Sequence, residues 1–416
     1  MRWTERRLDE LGYVGRGKSK HRPRDAGHLY GGPYPFIQTG DVKHADLYIT
    51  QYSQTYSEAG LAQSKLWPAG TLCITIAANI AETAILGIDA CFPDSVIGFV
   101  ADDSKSDARF VKYLFDTIKQ QYQQVSQGAA QDNLSLEKLL SFKLRVPEPE
   151  VQRSVANVLS AYDDLIENNR RRMALLEESA RLLYREWFVR LRFPGHEHTP
   201  IVNGLPEGWE RKPLAELCES IDYGYTASAE AGDVGPKFLR ITDIVPDVID
   251  WSTVPHCRIE EDRFKKFRLI EGDIVIARTG ATVGYAKRIN KRTPDAVFAS
   301  YLVRLRLNSD IDSVMAGIFV ESEDYKKYVQ SRVGGAAQPN ANARILTAVD
   351  MVVPTPRIQR AFREIVEPLV DQRETLQEQN QRLKAARDLL LPRLMNGEIT
   401  ARHSRNQTGG PHSVDT

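Results

Sequence analysis

The chain contains one sequence pattern twice. Residues 128–133 read GAAQDN and residues 335–340 read GAAQPN, an offset of 207 positions. At the same offset RVPEPEVQR (145–153) aligns with VVPTPRIQR (352–360). Upstream, at an offset of 202, PFIQTGDV aligns with KFLRITDI, and AGTLCITIA aligns with EGDIVIART. Because the matches are concentrated at apolar, Gly and Pro positions, the sequence predicts two copies of one fold with different surfaces.

Each copy consists of a mixed region followed by a helical region. The runs TLCITIA, ACFPDSVIGFV, DIVIA and AVFASYLVRLRL predict strands. Residues 109–125 and 314–329 predict a helix at the same place in each copy. The predicted fold is α+β: two tandem pseudo-symmetric α/β domains separated by two long helices that form an antiparallel coiled coil. The predicted segments are a first domain (1–146), a central helical spacer (147–191), a linker (192–206), a second domain (207–353), a C-terminal helical spacer (354–396) and a disordered tail (397–416).

Apolar residues recur at spacings of four and three in both helical regions, which is typical of a coiled-coil seam. The candidate seam and partner-docking residues are Leu165, Asn169, Met173, Leu176, Leu183 and Trp187 in the first region, and Leu376, Asn380, Leu383 and Leu390 in the second. Antiparallel packing about a twofold axis near residue 171 would place Asn169 against Asn380. The same register brings Trp187 near Phe362. Pro368 predicts a break or kink, since a helix-interior proline costs about 3 kcal/mol, and a late helix start there would separate the two asparagines.

Bulk composition narrows the class of protein. The balance of 55 basic and 55 acidic residues argues against a protein that coats nucleic acid through bulk charge, although local patches can bind it. MRWTERRLDE is not the pattern of a signal peptide, and no apolar run predicts a membrane span. The four cysteines are scattered without the spacing of metal ligands, and HEH (196–198) reads as a solvated loop. We expect reduced thiols, no metal site and a cytoplasmic protein.

No catalytic motif is found in the sequence. It lacks the GxxxxGK[ST] phosphate loop, the zinc-protease HExxH and the [DNS]PP[FYW] of amino-methyltransferases. RTGATVG (278–284) follows a predicted strand, and its backbone could approach a phosphate. The alternative is a hairpin turn in which Gly280 and Gly284 supply positive φ, and both interpretations can hold together.

Basic runs are the remaining chemical signal. GRGKSKHRPR (15–24), RFKKFR (263–268) and AKRINKR (286–292) each carry at least four cations. A single run is usually a solvated face, but three runs on two copies of one fold favour nucleic-acid binding. The candidate DNA-contact residues are Arg16, Lys18, Lys20, Arg22, Lys265, Lys266, Arg278, Thr279, Gly280, Thr282, Lys287 and Arg288.

Several motifs in order resemble those of type I restriction–modification specificity (S) subunits. They are GLPEGWERKPLAEL, EGDIVIARTGATVGYA, the GAAQxN loops, the P-x-P-x-x-Q-R helix entries, and YDDLIENNRR with LLEESARLLYREWFV. The set covers most of the chain. In the first copy ITIAANIAET stands in place of IARTGATVGY, so the resemblance leaves open how that loop meets DNA.

The resemblance implies a function without catalysis by this chain. Each α/β domain would be a target recognition domain that reads one half of a split, asymmetric sequence in double-stranded DNA. The helices would be the spacer and the docking surface for two methyltransferase (M) subunits. Those subunits bind S-adenosylmethionine, whereas this chain is expected to bind no cofactor, and restriction (R) subunits complete the nuclease. The competing class is an inert coiled-coil adaptor that binds only proteins.

The GAAQxN residues Gln131, Asn133, Gln338 and Asn340 admit two roles. Amide side chains on loops can read base edges, or they can cap the next helix and hold the domain to it. Because the motif is common to two domains that should read different sequences, we favour the domain–helix junction.

Overall fold

The computed structural model describes residues 3–21, 23, 25–77, 81–127, 135–333 and 340–399. These residues form two compact units. The first contains the described residues of Met1–Asn168 and Asn380–Thr416, and the second contains those of Asn169–Gln379. Each unit therefore combines one α/β domain with part of each long helix.

The domain of the first unit contains eleven strands and five α-helices among its described residues. They are β1 (Thr4–Arg6), α1 (Leu8–Leu11), β2 (Gly12–Arg16), β3 (Tyr30–Phe36), α2 (Thr39–His44), β4 (Tyr48–Ile49), β5 (Gln54–Tyr56), α3 (Glu58–Ala62), β6 (Leu66–Trp67), β7 (Leu72–Thr75), β8 (Thr83–Leu86), β9 (Ala90–Cys91), β10 (Val96–Ala101), α4 (Ala108–Gln127), α5 (Leu136–Ser141) and β11 (Leu144–Val146). The sheets have the strand orders β2-β10-β7-β8-β4, β5-β3-β9-β6 and β1-β11.

The first long helix, α6 (Pro149–Tyr184), continues into a π-helical turn at Arg185–Val189. The elements that follow it are β12 (Ile201–Val202), β13 (Leu205–Pro206), β14 (Glu210–Pro213), β15 (Cys218–Tyr223), β16 (Lys237–Leu239), α7 (Ile241–Ile244), α8 (Glu261–Phe267), β17 (Ile274–Ala277), β18 (Ala286–Arg288), β19 (Ala296–Phe298), β20 (Leu302–Leu307), α9 (Ser313–Val320), α10 (Glu323–Val333), α11 (Ala343–Thr347), β21 (Asp350–Val353) and the second long helix α12 (Pro356–Met395).

The two domains share one topology, which confirms the duplication. The order β2-β10-β7-β8 in the first domain matches β15-β20-β17-β18 in the second. The parallel pair β3-β9 matches β16-β19, and the antiparallel pair β1-β11 matches β14-β21. The runs ACFPDSVIGFV and AVFASYLVRLRL are each predicted as one strand, but a turn divides each of them in two. The first forms β9 and β10, and the second forms β19 and β20.

The strands β7 and β17 lie inside the core on both faces. In β7, Leu72 and Ile74 contribute to one apolar cluster and Cys73 to another; in β17, Ile274 and Val275 are divided in the same way. Because side chains alternate between the faces of a strand, burial on both faces requires a continuous apolar run. This requirement explains why LCIT and IVIA are matched so closely between the two copies.

Both long helices begin at a proline, Pro149 or Pro356, where the missing amide hydrogen costs no helical bond. The break predicted at Pro368 is wrong, since α12 is continuous through it. Pro368 and Glu364 both lie on the exposed side of α12, where water can satisfy the carbonyl that proline leaves unpaired. Packing of the opposite, buried side then holds the helix together.

The two helix segments within each unit pack antiparallel. In the first unit the Asn380 side chain donates to the carbonyl of Ile166 at 3.4 Å. In the second unit the rings of Trp187 and Phe362 lie 5.6 Å apart, at the predicted register. The contact of Asn169 with Asn380 stays a prediction.

Most of the predicted seam residues are buried or half-buried. Leu165 is an exception, because 51% of it is exposed and Ile166 takes the inward position. A straight α-helix has 3.6 residues per turn, so it drifts by about 20° per heptad from a strict seam pattern. The seam therefore moves by one residue at this point.

The remaining predictions have mixed outcomes. The helix predicted over 314–329 is two helices, α9 and α10, separated at Glu321 and Ser322. Ile399, placed in the predicted disordered tail, packs against the core of the first unit. All four cysteines are free. No helix among the described residues is long and apolar enough to span a membrane.

Candidate nucleic-acid interface

The loop after β17 is a tight turn that leads into β18. Gly280 has φ of +77° and Gly284 has φ of +88°, so the predicted hairpin geometry is confirmed. A Cβ on Gly284 would lie 3.0 Å from Val329, whereas a Cβ on Gly280 would meet open space. Thr279 and Thr282 lie on the same turn, with Gly280 at its open side.

Arg278 opens this turn and is held by three segments of the second domain. Its guanidinium lies 4.8 Å from the ring centroid of Tyr223, a cation–π distance. Its Nη2 donates to Oδ1 of Asn340 at 3.3 Å, and its Nη1 donates to the carbonyl of Ser300 at 3.4 Å. The amide of Ala341 donates in turn to the Arg278 carbonyl at 2.8 Å. The second GAAQxN segment thus ends against the loop RTGATVG.

The junction role predicted for Asn340 stays a prediction, and the cap of the next helix is a different residue. Asn342, two residues later, caps α11 by accepting from the amide of Ile345 at 2.9 Å. Asn340 itself is exposed beside Arg278, where its side chain helps to position a cation. The other three residues of that prediction, Gln131, Asn133 and Gln338, lie outside the described residues.

A different glutamine joins each domain to its long helix. The Gln359 side chain accepts from the amide of Asp312 at 2.8 Å and donates to the carbonyl of Pro354 at 3.0 Å. Gln152, its equivalent in the first copy, accepts from the amide of Asp107 at 3.2 Å. It also donates to the carbonyls of Lys105 and Pro147 at 3.1 and 2.9 Å. Both glutamines are buried and belong to the repeated P-x-P-x-x-Q-R motif, which was the signal for this junction.

Equivalent backbone bonds place the corresponding loops of the first domain. The amide of Arg278 donates to the carbonyl of Tyr301 at 3.0 Å, and the amide of Ile76 donates to the carbonyl of Ser95 at 3.0 Å. The two copies also share a glycine directly after the strand, Gly17 after β2 and Gly224 after β15. A Cβ on Gly17 would lie 2.2 Å from the carbonyl oxygen of Pro93, and a Cβ on Gly224 would lie 2.1 Å from that of Ala299. The two domains therefore share one backbone framework at this edge.

The side chains on that framework differ. Strand pairing and backbone bonds define which positions of the two domains are equivalent. With the residue of the first domain given first, the pairs are Arg16 and Tyr223, Lys18 and Tyr225, Ile76 and Arg278, and Ser95 and Tyr301. Tyr223 and Tyr301 are 44% and 60% exposed, an unusual position for large aromatic side chains. Neither tyrosine is predicted as a site residue from the sequence. The signal that could have identified them is that the first copy has an arginine and a serine at the equivalent positions.

Two of the three predicted basic runs are exposed. Lys265 and Lys266 lie on the exposed surface of α8. Arg16, Lys18 and Lys20 are exposed at and after the end of β2, and Arg16 donates through Nε to the carbonyl of Asp94. Arg22 lies outside the described residues.

The third run packs against acidic groups inside the second unit, so its predicted role is corrected. Lys287 has a side chain only 12% exposed, and its Nζ lies 3.3 Å from a carboxylate oxygen of Glu321. The backbone amide of Arg288 donates to the other oxygen of Glu321 at 3.0 Å. Further along, Lys291 pairs with Asp371 and Arg292 with Glu378, both at distances below 3 Å. Lys291 and Arg292 thus hold the domain to α12, whereas Lys287 and Arg288 contact the end of α9.

Two carboxylates at this contact have shifted pKa values. Burial opposes ionisation of Glu321, but Lys287, Arg373 and the amide of Arg288 hold its pKa below the ordinary value. Burial raises the pKa of Glu374, and the bond from Asn290 and the nearby arginines only partly offset it. The third run is thus a structural network of charges. Among the described residues no His, Cys, Asp and Glu side chains cluster as a metal site would require.

Comparison with known proteins gives consistent matches. Residues 1–178 and 206–385 match the family described as Type I restriction modification DNA specificity domain. The Type I restriction enzyme MjaIX specificity subunit of Methanocaldococcus jannaschii is 24% identical over 415 residues, which are 95% of this chain and 93% of that protein. The HindI specificity subunit of Haemophilus influenzae is 21% identical over 339 residues, covering 64% of this chain and 71% of that protein.

A crystal structure of the Type-I restriction-modification system S subunit from M. genitalium is similar in fold. Its TM-score is 0.59 at 14% sequence identity, and the match covers 95% of this chain and 96% of that one.

Proposed function

The chain belongs to the type I restriction modification DNA specificity family, and we propose that it is the subunit that reads a bipartite, asymmetric DNA sequence for a methyltransferase. Each α/β domain reads one half of the target. The chain itself transfers no methyl group and binds no cofactor. The methyltransferase subunits carry S-adenosylmethionine, and restriction subunits join them.

One observation carries this proposal: a single backbone framework presents different side chains in the two domains. Tyr223 and Arg278 occupy the places of Arg16 and Ile76. A reader of two unlike half-sites needs a common scaffold with different polar groups, because each base edge has its own pattern of donors and acceptors. An adaptor that binds only proteins has no such requirement.

Within the second domain we propose that Arg278 contacts bases. Arginine pairs with guanine through two bonds to O6 and N7 in the major groove, provided that the guanidinium is held in one orientation. The ring of Tyr223 and the side-chain oxygen of Asn340 supply that orientation. Lys265 and Lys266 are exposed and contact phosphate, which positions the protein without reading sequence.

We propose that the long helices dock the methyltransferase subunits. Leu175, Leu182 and Leu389 are large apolar side chains of these helices that are at least 47% exposed. They lie outside the seam and offer apolar surface to a partner.

Two experiments test the general proposal. In a mobility shift on duplex DNA, the chain should bind its target more tightly when a methyltransferase subunit is added, whereas an adaptor would leave DNA unshifted. With labelled S-adenosylmethionine, the pure chain should transfer no methyl group until that subunit is added. Methyl transfer by the pure chain would contradict the proposal.

A sharper experiment addresses Arg278. Arg278→Ala should relax or change one half of the methylated sequence when N6-methyladenine is mapped across the host genome. The matched control is Arg332→Ala, since Arg332 likewise lies over a tyrosine ring, that of Tyr328 at 5.3 Å, but is exposed on α10 and is not part of the loop RTGATVG. An unchanged methylation sequence in Arg278→Ala would refute the base contact.

A further inference from the structure

Each unit contains an ion pair between α6 and α12. In the first unit Arg387 donates to Asp163, which also accepts a bond from the hydroxyl of Tyr113. The Asp163 side chain is 1% exposed, and that of Arg387 is 16% exposed. In the second unit Arg373 Nη1 lies 3.3 Å from Glu177, and both side chains are 14% exposed.

The first pair has no counterpart at the equivalent place in the second unit. At the offset of 207 residues, Asp163 corresponds to Val370 and Arg387 corresponds to Ala180. Tyr113 corresponds to Ile318 when the two copies are aligned on the aspartates that accept from the first amides of α4 and α9. These three apolar residues line a cavity of about 60 Å³. The second unit is thus open where the first unit is filled by an aromatic ring and a charged pair.

The second pair likewise has no counterpart in the first unit. Glu177 corresponds to Lys384, and Arg373 corresponds to Ile166, which is buried in the core of the first unit. The two ion pairs therefore occupy non-equivalent places on one repeated scaffold.

We propose that the two ion pairs make the N-terminal half of the chain (domain and α6) complementary to the C-terminal half (domain and α12), and not to a second copy of itself. Arg387 also pairs with Asp388 and Glu177 with Arg181 inside their own halves. The buried Asp163 is the group for which the opposite half supplies the cation, so the first pair carries most of the selection. The inference concerns how the halves pair and stands independently of the proposed function.

Pairing of like halves in the same register would place charges against unsuitable neighbours. In a pair of N-terminal halves, Asp163 faces Ala180 and Glu177 faces Ile166. A buried charge without its partner is strongly destabilising, which rejects this pair more than ordinary surface mismatches do.

In a pair of C-terminal halves the mismatch has the opposite sign. Arg387 faces Val370, and Arg373 faces Lys384, so that a cation meets an apolar side chain or another cation. Rejection of wrong partners by unpaired or like charges is how specificity between similar surfaces is generally obtained. Under the proposed function, this selection keeps one recognition domain of each kind in every assembly.

The test uses the full chain with a protease site inserted at the exposed residues Glu197 and His198 of the linker. Two batches carry different affinity tags on the N-terminal half. They are cleaved, mixed, unfolded in urea and refolded. Capture through one tag should recover the C-terminal half, with unlike pairs favoured over like pairs on the order of a hundredfold. Like pairs at the frequency of random pairing would overturn the proposal.

A double variant of the N-terminal half should allow like halves to pair. Asp163→Val with Glu177→Ala removes both acids from the N-terminal half, so the recovery of two N-terminal halves together should rise. Like pairs that stay as rare as in the parent protein would show that other contacts select the partner.

A measurement on the intact chain covers the case in which the cleaved protein does not refold. Asp163→Val, Arg387→Ala and the double variant are compared by urea unfolding. Arg387→Ala leaves the buried Asp163 without its cation, and Asp163→Val leaves Arg387 with Asp388 alone, so the double variant should be more stable than the sum of the singles predicts. The control is the same cycle on Lys291 and Asp371, whose side chains are 51% and 36% exposed. Additive effects at Asp163 and Arg387 would overturn the proposal.

Discussion

The glutamine at the start of each long helix offers a direct test of how a domain is joined to its helix. Gln359→Leu removes the acceptor of the Asp312 amide and the donor to the Pro354 carbonyl. A buried backbone group left without a partner costs roughly 1–3 kcal/mol. Leucine recovers about 1 kcal/mol through added apolar burial. We therefore expect the second unit to lose about 3 kcal/mol of unfolding free energy.

This loss should lower the melting temperature of the second unit by roughly 6–12 °C, given the usual 2–4 °C per kcal/mol for a unit of about 200 residues. Hydrogen exchange followed by mass spectrometry should show faster exchange at the Asp312 amide and at the start of α9. The peptides of the first domain should exchange as before.

The matched control is Gln379→Leu, an exposed glutamine on the same helix, which should change stability by no more than about 0.5 kcal/mol. Gln152→Leu in the first copy leaves three backbone groups unsatisfied and should destabilise the first unit at least as much. If Gln359→Leu behaves like Gln379→Leu, the junction does not depend on this side chain and the reasoning fails.

Three further predictions concern a glycine, a buried carboxylate and an exposed pair of lysines. Gly224→Ala should lower the free energy of unfolding by about 1–3 kcal/mol or more, because the new Cβ would lie 2.1 Å from the Ala299 carbonyl oxygen. The control, Gly40→Ala, places its Cβ in open space and should be neutral or stabilising when both variants are melted. Because the pKa of Glu374 is raised above its ordinary 4.5, its protonated form favours the fold: that stability is present at low pH and is lost as pH rises through the raised pKa. Glu374→Gln should flatten the melting temperature against pH, and parallel curves for both proteins would contradict this. Lys265→Glu with Lys266→Glu should weaken DNA binding and reduce the salt slope by about two without changing the methylated sequence, which titration at several salt concentrations checks.

Local patterns of the sequence predict much of the architecture. The repeat around GAAQxN predicts two copies of one fold, and the apolar spacing predicts both long helices. Gly280 and Gly284 predict the turn after β17, because positive φ is a property of the residue itself. These features are readable since each depends on residues that are near one another in the chain.

The chemistry of the surface depends on partners that are distant in sequence. Lys287 and Lys265 both appear in basic runs, but Lys287 pairs with Glu321 while Lys265 lies exposed. No local pattern distinguishes them, because the acid that neutralises a cation comes from another element of the fold.

The same reason explains the cluster around Arg278. Tyr223, Arg278 and Asn340 come from three segments separated by more than fifty residues, and only strand pairing brings them together. The continuous helix through Pro368 is a similar case, since packing of its buried side outweighs the local cost of proline. Local propensities set the elements of this protein, whereas long-range packing decides which side chains remain available to a partner.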